Sequence, residues 1–476
     1  MNLPGEFYLS VGGSLETTNQ SMEIRCPYDG RLVGRAPVAG IQHVNQALQA
    51  AEEIFPVFSE WPLHRRASLL EKTALLLENE EHIFAGLIAL EAAKPYPLAL
   101  TEVRRAILGL RTAAAECLRP PAEWMRLDWN TVGENMEGIL HRFPRGIVLA
   151  ISPFNFPLNL AVHKIAPALA VGCPVIAKPA SVTPLTLLHF GRLMVKAGWP
   201  PGTFSILNMP SSLAEQCAGD PRVAVISFTG SELVGWQLKE KFPRKKVILE
   251  LGGNAGAFIS SSADVEEALR SCLPAAFNYC GQVCIHLQRL FVAREHFPKV
   301  ADAFVEYASR LTPTPPDHPD CSYSCMISES EAIRVETWVQ EALTEGAIAL
   351  TPLRRQGPVL SPVVLTKVRK GQKVMDEEAF GPVVCLEPVE SFCEGLHRLN
   401  DTRFGLQAAL FTNNLNEMNT FFRKVRAGNL LINRAPGFRV DPMPYGGIKQ
   451  SGWGLEGIRY AMRSYTEERF CIKPFQ

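Results

Sequence analysis

Twelve of the 476 residues are cysteine, and they pose the first chemical question of the chain. A thiolate is a soft, strong nucleophile, so one well-placed cysteine is enough for covalent catalysis. The spacing argues against other uses. No pair forms Cys-x-x-Cys and no His-rich tract is present, so no metal site is expected. Cys280 and Cys284 stand four apart, as do Cys321 and Cys325, but neither pair has a second half. A disulfide framework is not expected in a chain of this length without a secretion signal. Taken singly, each thiol reads as a small buried hydrophobe, and the open question is whether one is a nucleophile. Other polar groups sit in short strings rich in Gly and Pro: Ser152-Pro153-Phe154-Asn155-Phe156-Pro157-Leu158, Ala177-Lys178-Pro179-Ala180-Ser181, Phe228-Thr229-Gly230-Ser231 and Glu250-Leu251-Gly252-Gly253-Asn254. By type alone Asn155 is a turn residue, Ser231 a helix N-cap, and Glu250 a cap or salt-bridge partner.

These strings need elements to hold them. From Gly146 to Gly253 short apolar strands (Gly146–Ile151, Pro174–Ala177, Phe204–Leu207, Val223–Phe228, Val247–Leu251) alternate with helical segments (Leu160–Ala170, Thr183–Ala197, Ser212–Ala218, Glu232–Phe242). Repeated β-α-β units predict a parallel sheet covered on both faces, with ligands bound beyond its carboxyl strand ends. The strings fall at those ends. Before them, helical spacing marks Gln42–Phe55, stopping at Pro56, then Arg65–Leu90, then Leu98–Leu118, stopping before Pro120-Pro121. Gly133 and Gly138 suggest a hairpin within Trp124–Pro144, alternation resumes from 253 to about 435, Thr312–Pro319 reads as a surface loop, and Ser464–Pro474 as a last strand.

Composition excludes several classes. Lys+Arg and Asp+Glu are 48 each, so there is no electrostatic footprint for nucleic acid or an anionic membrane. With 47% hydrophobic and 20% charged residues the chain can bury a large core. Runs such as Ile147–Ile151 are too short to cross a bilayer, and the start MNLPGEFYLSVGGS has no signal-peptide pattern. A cytoplasmic enzyme is the expectation. No Gly-x-Gly-x-x-Gly joins a strand to a helix, so the usual dinucleotide fingerprint is absent.

Three further strings complete a series: Gly281-Gln282-Val283-Cys284, thirty-four residues beyond Glu250, then Glu377-Glu378-Ala379-Phe380-Gly381-Pro382, and Pro444-Tyr445-Gly446-Gly447-Ile448-Lys449-Gln450-Ser451-Gly452. In this order and spacing the seven strings resemble the aldehyde dehydrogenase superfamily, from about residue 25 to the C-terminus. The resemblance implies an α/β fold: a Rossmann-type cofactor domain (1–121 and 146–252), an α/β catalytic domain (253–456) and a small β oligomerisation element (122–145 and 457–476). It implies Cys284 as nucleophile, Asn155 as oxyanion-hole amide, and Glu250 as the base that hydrolyses a thioester. Relatives that pass the acyl group to coenzyme A generally lack that carboxylate, so a free carboxylic acid is the expected product.

NAD or NADP is the implied cofactor, held by Ser152, Pro153, Phe154, Lys178, Ser181, Gly230, Ser231, Leu251, Gly252, Glu378 and Phe380. Phe154 stands where many relatives carry Trp. Ser181 stands where many NAD-preferring relatives place Glu, whose carboxylate would repel a 2′-phosphate, so NADP is expected to be accepted. For the aldehyde, Arg105, Leu158, Val283, Ile285, Phe438 and Arg439 are the implied contacts. The stretch Phe438–Gly447 looks most like the branch acting on lactaldehyde, phosphorylated or phosphono-aldehydes and semialdehydes. Val283, where the phosphorylated-substrate type often has Arg, and an apolar tunnel mouth of Leu158, Ile285 and Phe438 favour a small-to-medium aliphatic or aromatic aldehyde, with a semialdehyde next. The partners expected are that small molecule and further copies of the chain, a homodimer or homotetramer joined through Trp124–Arg145 and Ser464–Pro474. Cys280 reads as a packed neighbour or as a resolving thiol. A thiol esterase or acyl-transferase that has lost cofactor binding and a non-catalytic scaffold are the competing classes.

Overall fold

The computed structural model describes residues 3–119 and 122–475. Pro120 and Pro121, the expected stop of a helix, lie outside the described residues. The chain begins with four strands that periodicity does not reveal, Leu9–Val11, Ser14–Glu16, Ser21–Arg25 and Leu32–Pro37. Two have only three residues, too few for an alternating pattern to stand out.

Helices α1 (Ile41–Ser59), α2 (Leu63–Asn79), α3 (Glu81–Ala92) and α4 (Tyr96–Cys117) follow. Contrary to the sequence expectation, α1 runs through Pro56 for another turn. A proline forfeits one helical hydrogen bond, but Phe58 beyond it is fully buried and packs edge-on against Trp61 and Trp199, with ring centroids 5.7 and 6.4 Å away. The single helix expected over Arg65–Leu90 is two, broken at Glu80, whose carboxylate bonds the His189 ring at 2.8 Å.

The alternating stretch forms the predicted sheet. Strand Ile147–Ile151 lies between Val175–Lys178 on one side and Val223–Thr229 on the other, all parallel. Phe204–Ile206 and Lys246–Glu250 extend it outward, and Leu9–Val11, Ser14–Glu16 and Gly452–Trp453 close its edges. Helices α5 (Asn159–Val171), α6 (Leu185–Ala197), α7 (Ser211–Gly219) and α8 (Glu232–Lys241) connect the strands. The chain leaves Ile147–Ile151 toward one edge and returns on the other, which makes a topological switch point with a crevice outside the strand ends. Register aligns those ends: Ile151 lies opposite both Lys178 and Phe228, and Thr229 opposite Glu250.

A second sheet of six parallel strands (Gly256–Ile259, Arg289–Ala293, Val363–Thr366, Val383–Val389, Gln407–Phe411, Asn429–Ile432) carries one short antiparallel edge strand, Ile348–Ala349. Its two faces each have an apolar core. The third sheet is antiparallel, Glu123–Arg126, Met136–Pro144 and Thr466–Pro474, and leaves Trp124, Phe470 and Ile472 exposed. Gly133 ends the short helical turn between its first two strands, whereas Gly138 sits within a strand, where a Cβ would lie 2.0 Å from the Phe470 ring. Among the described residues no helix is long and apolar enough to cross a membrane.

Candidate active site

The aligned strand ends open into a crevice of about 880 Å³. Ser152, Pro153, Phe154, Lys178, Gly230, Ser231, Leu251, Gly252, Glu378 and Phe380 all line it, and Asn155 and Cys284 reach it too. Ser181, half-buried just beyond Ala180, is not among the lining residues. Three features of the crevice suit a dinucleotide. Lys178 is 6% exposed and among the described residues bonds only the Pro179 carbonyl, at 3.0 Å; burial lowers its pKa, and no anion accompanies it there. Ser231 starts α8 without capping it, leaving its hydroxyl and the first-turn N–H groups for a phosphate. Gly252 admits Glu378: a Cβ there would stand 2.3 Å from the Glu378 carboxylate, which accepts from Gly253 N at 2.9 Å. Burial raises Glu378 to about 7. Phe154 and Phe380 meet edge to face at 5.8 Å.

Cys284 ends a strained loop. Tyr279, Cys280 and Gly281 have φ of 51°, 52° and 68° in succession. Only Gly281 is replaceable by nothing larger, since a Cβ would lie 2.1 Å from the Gly381 carbonyl. The loop is pinned from within by Gln282, whose side chain donates to Tyr279 O and Cys325 O and accepts from Ile327 N. Asn155 pins it from across the crevice, donating through Nδ2 to the Gln282 carbonyl at 2.9 Å. An amide carries two N–H bonds, so the second remains for a ligand. The Cys284 thiol lies 3.7 Å from the Tyr445 hydroxyl and is pushed up to about 12, first by burial and then by the Glu378 carboxylate.

Glu250 is 3% exposed, and neither carboxylate oxygen has a hydrogen-bond partner among the described residues. Burial raises its pKa well above the ordinary range, and the Glu456 carboxylate adds to this. Glu456 itself stays low despite burial because the Lys164 ammonium bonds it; Lys164 also donates to Thr229 at 2.7 Å. Two adjacent buried acids are thus driven in opposite directions, Glu250 up and Glu456 down. Arg439 reaches the same group, with its guanidinium 3.8 Å from the Tyr445 ring centroid and 3.5 Å from Glu456, and with Nε unpartnered.

The expected aldehyde contacts fare unevenly. Val283 and Ile285 flank Cys284 and pack with Leu406, Met443 and Tyr445. Phe438 is 46% exposed. Leu158 is a correction: it is fully buried in the core of the first sheet and is not among the residues lining the crevice, its N–H tied to Glu102 at 3.0 Å as α5 begins. Arg105 is held in a two-pronged pair with Asp441, at 2.8 and 3.1 Å. Asp441 also bonds His163 at 2.8 Å and lies well below the ordinary carboxylate range; the ring and the guanidinium outweigh a burial effect of opposite sign. Cys280 faces the core of the second sheet and is pushed up to about 12 by burial, so it is a packed neighbour.

Sequence reasoning assigned no role to Tyr445, Lys164, Glu456, Asp441, Glu102 or Lys94. One signal was available: His163 and Lys164 interrupt an otherwise apolar helix, where a charge implies a buried partner. Glu102 accepts from Leu158 N and Asn159 N and bonds buried Lys94 at 2.5 Å, so it sets the start of α5 and with it the Asn155 loop. Glu102→Ala leaves a buried ammonium unpaired and is expected to destabilise the fold by about 3–5 kcal/mol, measured by urea unfolding.

The family model described as the aldehyde dehydrogenase family matches residues 15–471. The 3-sulfolactaldehyde dehydrogenase of Priestia megaterium is 36% identical over 469 residues, 98% of each chain. Aldehyde dehydrogenase 21 from Physcomitrella patens, solved in complex with the reaction product succinate, superposes with a TM-score of 0.97 at 34% identity over 100% of this chain and 99% of that one. The NADP-dependent glyceraldehyde-3-phosphate dehydrogenase from Bacillus halodurans, complexed with NADP, gives 0.95 at 32% identity over 99% and 100%. With the crevice at the switch point and similarity running through nearly the whole length, the chain belongs to the aldehyde dehydrogenase family, the oxidoreductases that act on aldehydes with NAD or NADP.

Proposed function

We propose that the chain oxidises a short aldehyde with an anionic or strongly polar far end to the free carboxylic acid, through a thioester on Cys284. The observation that carries this reading is a thiol and a spare amide N–H that line one crevice, with the unpartnered buried Glu250 carboxylate behind its wall close enough to act on the Cys284 thiol. Cys284, once deprotonated, adds to the carbonyl carbon. The oxyanion accepts the free Asn155 N–H and the Cys284 backbone N–H, which hold it as charge develops. A bound NAD or NADP would supply the acceptor for the hydride that leaves this carbon. Glu250 then takes a proton from water, the hydroxide attacks the thioester carbonyl, and the acid departs as sulfur is released. Asn155→Ala is expected to lower kcat by about 10²–10³ with little change in cofactor affinity, read by steady-state kinetics.

Arg439 supports an anionic substrate. Its guanidinium stacks on Tyr445, whose hydroxyl is next to the Cys284 thiol, and it retains an unpartnered buried N–H. The relatives named for 3-sulfolactaldehyde and for succinate product support that reading, and a semialdehyde is proposed here ahead of the aliphatic or aromatic aldehyde that the sequence favours. A panel ranked by kcat/KM tests it: succinic semialdehyde should exceed butyraldehyde by at least about tenfold, the scale of one added charge-assisted hydrogen bond. Equal values would remove the anionic end from the proposal.

Ser181 and Lys178 support acceptance of NADP, because no carboxylate stands at position 181 to repel a 2′-phosphate. Kinetics with both cofactors checks this, and a preference for NAD above about 100-fold, near 3 kcal/mol, would end it. The exposed apolar residues of the antiparallel sheet, Trp124, Phe470 and Ile472, support a homodimer or homotetramer built on that sheet, which light scattering would report. Chemistry on a free thiol suits a reducing compartment such as the cytoplasm.

A further inference from the structure

A second cavity, about 210 Å³, lies away from the crevice, where α2, α4 and α5 meet the base of the antiparallel sheet. Five arginines line it, Arg66, Arg119, Arg142, Arg459 and Arg463, against two carboxylates, Glu60 and Glu116. Two of the five are partly neutralised: Arg142 bonds Glu468, and Arg459 lies 3.7 Å from Glu116. Arg119 and Arg463 are exposed at the mouth and form no ion pair among the described residues. Arg66 lies at the floor. It is 5% exposed, and its Nε and Nη1 have no hydrogen-bond partner among the described residues.

An unpaired guanidinium at this depth is costly, and the local backbone is shaped to keep it there. Gly172 follows α5 with φ +87°, and a Cβ on it would stand 2.3 Å from Arg66 Nη1. As the left-handed C-cap of α5 this glycine leaves room for the guanidinium, which a side chain here would oblige to shift. The balance of charge, the forked donors and the unsatisfied buried N–H groups all call for an anion, and arginine forks match the tetrahedral oxygens of a phosphoryl group. The volume equals about seven waters at liquid density, which sets a compact ligand rather than a nucleotide.

We propose that this cavity binds the phosphoryl group of a small phosphate ester, at a site separate from the cofactor crevice. Nothing in the argument depends on which aldehyde is oxidised. The two sites share elements: α5 starts beside the Asn155 loop and ends at Val171 in the cavity wall, and α4 carries Arg105 midway and Cys117 at the cavity.

Isothermal titration calorimetry of the whole protein tests the proposal, with glycerol 3-phosphate as probe at fixed ionic strength, with and without saturating NADP. The expected result is one site per chain in both conditions, competed by inorganic phosphate and not by glycerol. The variant carrying Arg119→Gln and Arg463→Gln should weaken it at least tenfold while aldehyde oxidation continues. Arg66→Met should abolish it, but that change removes a buried side chain and risks the fold, so the exposed pair decides. Absence of heat at millimolar probe, or heat unchanged in the double variant, would overturn the proposal. So would heat that vanishes with NADP, which would put the phosphate in the crevice.

Discussion

Cys284→Ala should lower turnover by about 10⁶, the scale on which removing a covalent nucleophile acts. The crevice is built by strand ends that do not depend on the thiol, so NADPH binding, followed by its fluorescence, should change less than about twofold, under 0.5 kcal/mol. The expected pattern is therefore lost chemistry with retained cofactor. Residual oxidation above about a tenth of wild type would mean that no obligatory covalent step passes through this sulfur. In the wild type, burial and the Glu378 carboxylate hold the thiol at about 12, so its ionisation is uphill at neutral pH. Acylation, read as kcat/KM, should rise with pH up to the limit of protein stability.

Glu250→Gln should separate the two halves of the reaction. The amide cannot deprotonate water, so steady-state turnover should fall by about 10²–10⁴. Thioester formation does not need that carboxylate, so stopped-flow mixing should still give a burst of reduced cofactor near one equivalent per site. Turnover lost together with the burst would show that Glu250 acts before the thioester. The sign of the pH effect follows from its environment. Burial and Glu456 raise the Glu250 pKa, so the carboxyl is protonated at low pH and becomes a base only as pH climbs through that raised value. Deacylation should therefore increase with pH in the wild type and lose that dependence in the glutamine variant.

The crevice was legible in the sequence because its parts are local. Each of the stretches near 152, 178, 229 and 250 couples an apolar strand to a turn within a few residues, and strand register brings them level. The partners that tune the site are not local. Arg105 and Asp441 are 336 residues apart, and Lys164 and Glu456 are 292 apart, so only folding reveals either pair. Leu158 shows the opposite error: an apolar residue beside Asn155 reads as substrate-facing, yet the turn into α5 directs it to the core. Pro56 misleads in another way, since its breaking tendency is local while the anchoring of Phe58 between two tryptophans is tertiary.

The thiol inventory has a practical side. Nine of the twelve cysteines are buried, Cys284 is half-buried, and only Cys393 and Cys471 are exposed. Burial holds Cys284, like Cys280, mostly in its protonated form, so the resting enzyme offers electrophiles and peroxides little thiolate to attack. A protein rich in cysteine should thus behave as chemically quiet in storage. A brief maleimide treatment should label Cys393 and spare activity, giving a reporter on the outer helix Phe392–Asn400 without any engineered residue, whereas labelling of Cys471 should depend on whether the strand Thr466–Pro474 is covered by another subunit.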